Sequence, residues 1–559
     1  MFAKLKSFIA TKTVSAPGES IKLKRQGDAY LNQDRLDDAA EYYRRAISID
    51  PDYFEACVGL GFALSEQKQY GEAEQCLHQA LSIDSNNADA HYILGTISKN
   101  RNDHASAIEH FTNAIDIRLL FEFAHRDLFD VLFHSGQIDR AREVIERAIT
   151  VFPESAEFRF YLANLYSHEK EYEKSIACYE KALLMQPDSV ASHINLASVL
   201  FKAGQYDEAV ASYQKALSFE PHAFDAHVGL GAVSEKMGRL HIAIDCYEYA
   251  AILKPEDPAT QVSLGNVLET NGKMNDAIKC YRRAIELNRE YALAHQSLGN
   301  LLLSQGESQE AQTCFEEVVR LEPDSPVKHI AAALSGRITD RAPNDYVEKL
   351  FDEYADKFDS HLVKTLNYSV PESLAALLKP YHDAAGEKWI ILDLGCGTGL
   401  FGVAVAPFAR RLVGVDLSAK MLEKAGNLNL YHRLEREDLL KMMREEPPSS
   451  YDVVSAADVF VYIGILDELV KEAKRLLRSG GIFAFSVESL EALSDAVKLS
   501  ELPDFQLNVT GRYAHSIRYL TRLARDNGFD VLTTAEAQSR LDKGNSVKGY
   551  LTVWQCPLT

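Results

Sequence analysis

The sequence predicts two domains, an all-α solenoid of paired helices followed by an α/β domain on a mainly parallel sheet. Three observations predict this. Small and aromatic residues recur at a 34-residue period from Ser20 to Asp324. Strand-like and helix-like segments alternate after Trp389. Between two apolar runs lies a glycine-rich stretch, Asp393-Leu394-Gly395-Cys396-Gly397-Thr398-Gly399. At 559 residues the chain is too long for one ordinary domain, and 46% hydrophobic with 25% charged residues is a globular composition.

Residues 1–19 read as an amino-terminal tail. Met1 to Val14 interleaves Phe2, Leu5, Phe8 and Ile9 with Lys4, Lys6 and Lys12, without the continuous apolar core of a secretory signal. A frayed tail is expected there rather than a surface-seeking helix. No apolar run is long enough to span a bilayer. The eight cysteines show no pairing pattern, so a reducing, cytoplasmic setting is expected. The formal net charge of -21 argues against a general binder of nucleic acid or anionic membrane.

From residue 20 to residue 324, about nine repeats follow without insertion. One column reads Ala39, Ala73, Ala107, Ala141, Ser175, Ala209, Ala243, Ala277 and Ala311, and a second alanine column lies seven residues on. Between them stand large residues such as Tyr43, Phe111, Tyr213 and Tyr281. A column of small residues includes Gly27, Gly61, Gly95, Gly265 and Gly299. The pattern is the tetratricopeptide (TPR) one, with two antiparallel helices per unit. Each unit buries its face only against its neighbours, so a superhelix with a concave face is expected, a surface suited to a protein or peptide partner. His91, His125, His193, His227 and His295 share one column, and Cys76, Cys178, Cys246, Cys280 and Cys314 another. Metal ligands must converge on a point, whereas residues one repeat apart stand roughly 10 Å from each other, so both columns are read as packing positions and no metal is expected. Asn164, Asn266 and Asn300 share a concave-face column and suggest an amide ladder for a peptide backbone.

Residues 325–344 read as a capping helix and linker, with Ser325 at the N-cap and Pro326 at the first helical position. Pro343 marks the boundary, and the block from Tyr346 to Leu362 has helical spacing.

Residues 345–559 form the α/β domain. Trp389 onward supplies the first strand, Arg411 to Val415 the second, Tyr451 to Ala456 the fourth and Ile482 to Val487 the fifth, with a weak third near Tyr431 to Leu434. Val531 to Thr534 and Tyr550 to Trp554 then suggest a closing antiparallel hairpin. The Asp393 to Gly399 stretch resembles motif I of class I S-adenosylmethionine-dependent methyltransferases. It also contains a literal dinucleotide fingerprint, Gly397-Thr398-Gly399-Leu400-Phe401-Gly402, with Asp416 suitably placed for a ribose. A carboxylate at Asp393 would repel a pyrophosphate, whereas S-adenosylmethionine carries an ammonium and a sulfonium. The terminal hairpin points the same way.

With Ala342-Pro343, the Tyr346 to Leu362 block, Asp458 to Gly464 and Gly511 to Ser516, the chain resembles bacterial predicted TPR-repeat methyltransferases. The resemblance implies a Rossmann-like, seven-stranded sheet with a terminal antiparallel strand, and S-adenosylmethionine as cofactor. It implies Gly395, Gly397 and Gly399 beneath the methionine part, Asp393 as a cofactor-binding acid at the head of that loop, Asp416 on the ribose, Asp438 near the adenine, Asp458 at the reaction crevice, and Tyr354 with Phe358 as a cover. His515 is the expected general base, with Tyr513 and Tyr462 positioning an acceptor. The function expected is methyl transfer, with the TPR array recruiting a protein or peptide. The alternatives are a scaffold with a weak or inactive catalytic domain, and a small-molecule methyltransferase that uses its repeats for assembly.

Overall fold

The computed structural model describes residues 18–337, 339–355, 358, 368–493, 502–542 and 545–558. The expectations for Met1 to Val14, and for Asp356, Lys357 and Asp359 to Leu362, lie outside the described residues. The chain divides into two compact units, Met1–Glu256 and Asp257–Thr559.

In the first unit, the described residues form seven helix pairs, from Gly18–Asn32 with Leu36–Ile49 through Phe224–Lys236 with Leu240–Leu253. Their packing explains the sequence columns. Both alanine columns are fully buried, and the aromatic between them lies in the cleft between helices. At Gly95, for example, an added Cβ would come within 2.7 Å of the Phe111 ring. The histidine column caps the array internally: the His125, His193 and His227 rings each donate Nε2–H to the carbonyl six residues earlier, Leu119, Pro187 and Pro221, at 2.9–3.0 Å. Tyrosines take up part of the asparagine ladder. Asn164 Oδ1 accepts from the Tyr179 hydroxyl and from Asn195 Nδ2, so that carbonyl is committed to helix packing.

The second unit begins with two more helix pairs, Pro258–Thr270 with Met274–Leu287 and Ala292–Ser304 with Ser308–Leu321. Asn266 Oδ1 likewise accepts from the Tyr281 hydroxyl at 2.8 Å. A single helix, Val327–Leu334, closes the array, capped at Pro326 one residue later than expected. It packs against the preceding helix and buries Val327, Ala331 and Ala333.

The α/β part follows in the same unit. Helices α1 (Asn344–Tyr354) and α2 (Val370–Ala385) precede β1 (Trp389–Leu394), α3 (Leu400–Val405), β2 (Ala409–Asp416), α4 (Ala419–Asn427), β3 (Arg433–Arg436), α5 (Leu439–Glu445) and β4 (Tyr451–Ala456). Then come α6 (Asp467–Leu476), β5 (Leu477–Ser489), β6 (Phe505–Leu507), β7 (Tyr513–His515), α7 (Ile517–Asp526), β8 (Asp530–Asp542) and β9 (Asn545–Gln555). Strands β3, β2, β1, β4 and β5 are parallel neighbours in that order. β9 lies antiparallel to β5 and to β8, giving the expected closing hairpin. Among the described residues the sheet has nine strands, because a short pair adds to the expected seven. β4 accompanies β5 as far as Phe485, and β7 takes up Glu488 and Ser489 beyond that point, with β6 antiparallel beside it.

Alternation along the strands makes the core two-sided. Leu392 and Leu394 of β1 face Leu469, Val470, Leu520 and Leu523 of α6 and α7. Ile391 faces Leu374, Leu378, Phe401 and Val405 of α2 and α3. β3 begins at Arg433, later than expected, and Tyr431 instead packs its ring beside Gly399, Gly402 and Gly414.

Close helix approach makes one position in the second unit sensitive. An added Cβ at Gly265 would lie 2.4 Å from the buried Tyr281 ring. Gly265→Val is expected to destabilise the unit by about 1–3 kcal/mol through overpacking, which outweighs the few tenths gained in helix propensity. A lowered urea midpoint at unchanged slope is the outcome to look for.

Candidate functional site

A crevice opens where the parallel strands end at their carboxyl edge, the usual ligand position of such sheets. β1 runs into the glycine loop, where Gly395, Gly397 and Gly399 have φ of 63, 54 and 93°. These values lie in the left-handed region that side chains disfavour, hence glycine. Asp416, ending β2, pins the loop: Oδ2 accepts from Gly397 N–H and Oδ1 from Ser418 N–H, both at 2.9 Å. Burial raises the Asp416 carboxyl above the ordinary carboxylate range.

The crevice is a cavity of about 700 Å³, within the roughly 300–1,000 Å³ typical of small-molecule sites. Its floor includes Gly395, Gly397, Asp416, Asp438 and Asp458. Its cover is aromatic: Tyr346, Phe351 and Tyr354 of α1, with Phe358, Tyr368 and Tyr462. Phe351 meets the Tyr462 ring edge-on at 5.5 Å, and Tyr354 meets Phe358 likewise at 5.5 Å.

Asp438 caps α5. Its Oδ1 accepts from Leu440 and Lys441 N–H, and its Oδ2 from Arg341 Nη2 at 2.5 Å and Asn344 Nδ2 at 3.1 Å. Burial works against its charge, but Arg341 and the other donors outweigh burial and hold the carboxyl below its ordinary range. A carboxylate offers about four lone-pair directions. Any ligand donor at Asp438 therefore competes with Arg341 or Asn344.

Asp458 follows β4 with φ 61°, a strained value for a residue with a side chain. Its N–H donates to Ser486 Oγ, and its carboxylate accepts from Arg512 Nη2 at 2.8 Å. Arg512 also donates Nε–H to Glu488 at 2.7 Å and Nη1–H to the Tyr462 hydroxyl at 3.3 Å.

Four expected site residues are not in the cavity wall. Asp393 is buried, and its Oδ2 accepts from the Tyr431 hydroxyl at 2.7 Å. Burial pushes its carboxyl up to about 7, and its side chain is enclosed behind the wall rather than in it. Gly399 packs inward, where an added Cβ would meet Leu428 at 2.7 Å. The Tyr513 hydroxyl donates to Thr339 O at 2.9 Å, so it fastens the linker rather than an acceptor. His515 is fully buried; its Nε2–H donates to Gly464 O, and burial drives the ring down to about 4. A neutral, enclosed ring with no face on the cavity cannot serve there as a base. Conversely, Arg341, Asn344, Tyr368 and Arg512 line the cavity without having been singled out. Arg512 stands in the Gly511 to Ser516 stretch, where nothing local separates a cavity-lining arginine from a surface one.

The donor set distinguishes the two ligand classes left open by the glycine motif. The wall carries Asp340, Asp416, Asp438, Asp458 and Glu468 against Arg341 and Arg512, and both guanidiniums are tied to wall carboxylates. Such a wall disfavours a pyrophosphate and suits a cationic nucleoside such as S-adenosylmethionine. Among the described residues, no group of three or more His, Cys, Asp or Glu is arranged to hold a metal, and no helix is long and apolar enough to cross a membrane.

Fold and site together define a methyltransferase domain carrying TPR repeats. Residues 392–485 match the family described as Methyltransferase domain, and residues 30–97 the family described as Tetratricopeptide repeat. Residues 130–334 match the family described as Cilia and flagella-associated protein 70 C-terminal domain. The chain is similar to the probable S-adenosylmethionine-dependent methyltransferase CRG1 of Saccharomyces cerevisiae, 28% identical over 31% of this chain and 58% of that protein. It is also 28% identical to malonyl-[acyl-carrier protein] O-methyltransferase of Halalkalibacterium halodurans, over 37% of this chain and 78% of that one. Among solved structures, the TPR protein YrrB is 23% identical over 33% of this chain and 96% of its own, with a TM-score of 0.29. The carboxyl-terminal domain is thus of the S-adenosylmethionine-dependent methyltransferase class.

The buried histidine makes stability depend on pH. The folded His515 protonates only near pH 4, whereas an unfolded one does so near 6.5. Its stabilising contribution is therefore present above about pH 6.5 and is lost as pH falls towards 4. His515→Phe is expected to remove up to roughly 3 kcal/mol of that dependence, read as a flatter unfolding free energy between pH 6.5 and 4.

Proposed function

We propose that this protein is a methyltransferase that uses S-adenosylmethionine, and that its TPR array recruits a protein or peptide as partner or substrate. In this reading the solenoid spans residues 20–324, a cap and linker 325–344, and the catalytic domain 345–559. The cytoplasm and the bacterial TPR-methyltransferase family are the setting and lineage that go with it. The observation that carries the reading is the cavity: one continuous space joins the glycine loop, the acids ending β2 and following β3, and an aromatic cover.

When bound, S-adenosylmethionine supplies a methyl group on a sulfonium. The residues of the chain supply placement. Asp416 has the two oxygens that adjacent ribose hydroxyls require. Tyr354, Phe358 and Phe351 exclude water, which strengthens every charge interaction inside. Tyr462 faces the same space, and in this reading it orients an acceptor. Alignment of this kind supplies much of the rate of a group transfer.

A second reading has its own support. The cavity has the volume of a small-molecule site and a largely aromatic lining. A small acceptor, with the repeats serving assembly, fits that lining.

Incubating the full chain with lysate and labelled S-adenosylmethionine is expected to label protein; label confined to small molecules would select the second reading. Asp416→Asn sets an amide donor against Gly397 or Ser418 N–H. It is expected to weaken S-adenosylmethionine binding at least about 10-fold, by the cost of a lost charged hydrogen bond, measured by calorimetry.

A further inference from the structure

The helix that closes the repeats, Val327–Leu334, sends one polar side chain into the α/β part. His329 is 2% exposed, and its Nε2–H donates to Gly511 O at 2.9 Å. Its ring lies 5.0 Å from the Tyr346 ring of α1 and 5.9 Å from the Tyr513 ring of β7. The other nitrogen, Nδ1, is buried and has no hydrogen-bond partner among the described residues. A buried polar atom left unpaired costs about 1–3 kcal/mol. An apolar side chain would avoid that cost, so the donor on Nε2 is what a histidine adds here.

Gly511 sits in a tight turn between β6 and β7. Asn508 N–H donates to Arg512 O at 2.9 Å, and Gly511 N–H donates to Asn508 O at 2.8 Å. Thr510 and Arg512, on either side of Gly511, both line the cavity. The turn is pressed from two sides: an added Cβ at Gly511 would come within 2.7 Å of Ile330 and 3.0 Å of the Tyr346 hydroxyl. Ala333 extends the contact, packing with Leu507 of β6 and Tyr513 of β7. The short strand pair beyond the expected seven thus joins the end of the repeats to the sheet.

The carbonyl that His329 holds belongs to the same planar peptide unit as the Arg512 nitrogen. Fixing it orients the start of the Arg512 side chain. The guanidinium at the other end stands over the Tyr462 ring at 5.3 Å and donates to Asp458 and Glu488. Asp458 and Tyr462 line the cavity, as does Tyr346 on the other side of the histidine ring. One side chain from the repeats therefore backs two parts of the wall.

We propose that His329 is a positioning residue for the methyl-donor cavity, acting from the closing helix of the repeats through the Gly511–Arg512 peptide and Tyr346. The inference rests on the methyltransferase reading above. It makes the end of the solenoid a working part of the donor site, so that residues 345–559 alone would lack one of its fixtures.

Calorimetry of the full chain with S-adenosylhomocysteine tests this. His329→Leu removes the donor, and His329→Asn keeps an amide too short to take the place of Nε2. Both are expected to weaken binding about 5–20-fold, the loss of one buried hydrogen bond. His329→Gln sets its amide nitrogen near the position of Nε2 and is expected to stay within about 3-fold of the unaltered chain, by restoring that bond. Gly265→Val loosens the same unit inside a repeat and is the control for stability alone; it is expected to leave affinity within about 2-fold, as a separate site. Urea midpoints show that each variant is folded. Unchanged binding in His329→Leu and His329→Asn, no recovery in His329→Gln, or an equal loss in Gly265→Val overturns the proposal. A wild-type chain that binds neither S-adenosylmethionine nor S-adenosylhomocysteine would instead sink the methyltransferase reading itself.

Discussion

A short backbone pairing holds the site together. Asp340 O accepts from Gly464 N–H at 2.8 Å and from Ile465 N–H at 3.0 Å, and Ala342 N–H donates to Tyr462 O at 2.9 Å. The linker thereby attaches to the loop that follows β4. Three features of the cavity depend on this. Tyr462 and Ile463 are held as part of the wall. Arg341 and Asn344 are brought within reach of Asp438. The start of α1 is set, and with it the aromatic cover. Nearby, the Tyr513 hydroxyl bonds Thr339, and the His329 ring of the closing helix donates to Gly511 O at 2.9 Å. The last repeats and the α/β sheet accordingly belong to one compact unit.

Charge placement in that cavity follows one rule, that each buried charge is paired or multiply hydrogen-bonded. Asp416 rests on two backbone donors, Asp438 on four donors, and Arg512 between two carboxylates. The groups that hold the loops in place are the same groups that face the ligand. Removing one is expected to loosen the wall and the binding together, which is why conservative substitutions separate the two roles better than truncations.

Much of the fold was legible because it is governed by local period. A 34-residue repeat of small and aromatic residues dictates helix pairs wherever it runs. Trp389 to Leu394, Tyr451 to Ala456 and Ile482 to Val487 read as strands because their apolar runs are short and bounded by glycine or polar turns. The elements that were misjudged lack such a signal. β3 is only four residues long and half-exposed, and β6 and β7 have three residues each. Elements of that length exist because a neighbour offers an edge, and the sequence around them carries no period.

The sequence by itself determined the two architectures, the order of the strands along the chain, and the glycine loop at the head of the cavity, because each follows from short-range pattern and backbone sterics. Only the tertiary structure decided which polar side chains reach the ligand space. Asp393, Tyr513 and His515 have suitable chemistry but are turned into the core by Tyr431, Thr339 and Gly464. Arg341 and Arg512 come from the linker and from the segment before β7, far from the glycine loop in sequence. The physical reason is that spacing along a chain fixes the face of a helix or strand, whereas convergence on one cavity depends on contacts between segments far apart in sequence, from 38 residues for Tyr431 with Asp393 to 174 for Tyr513 with Thr339.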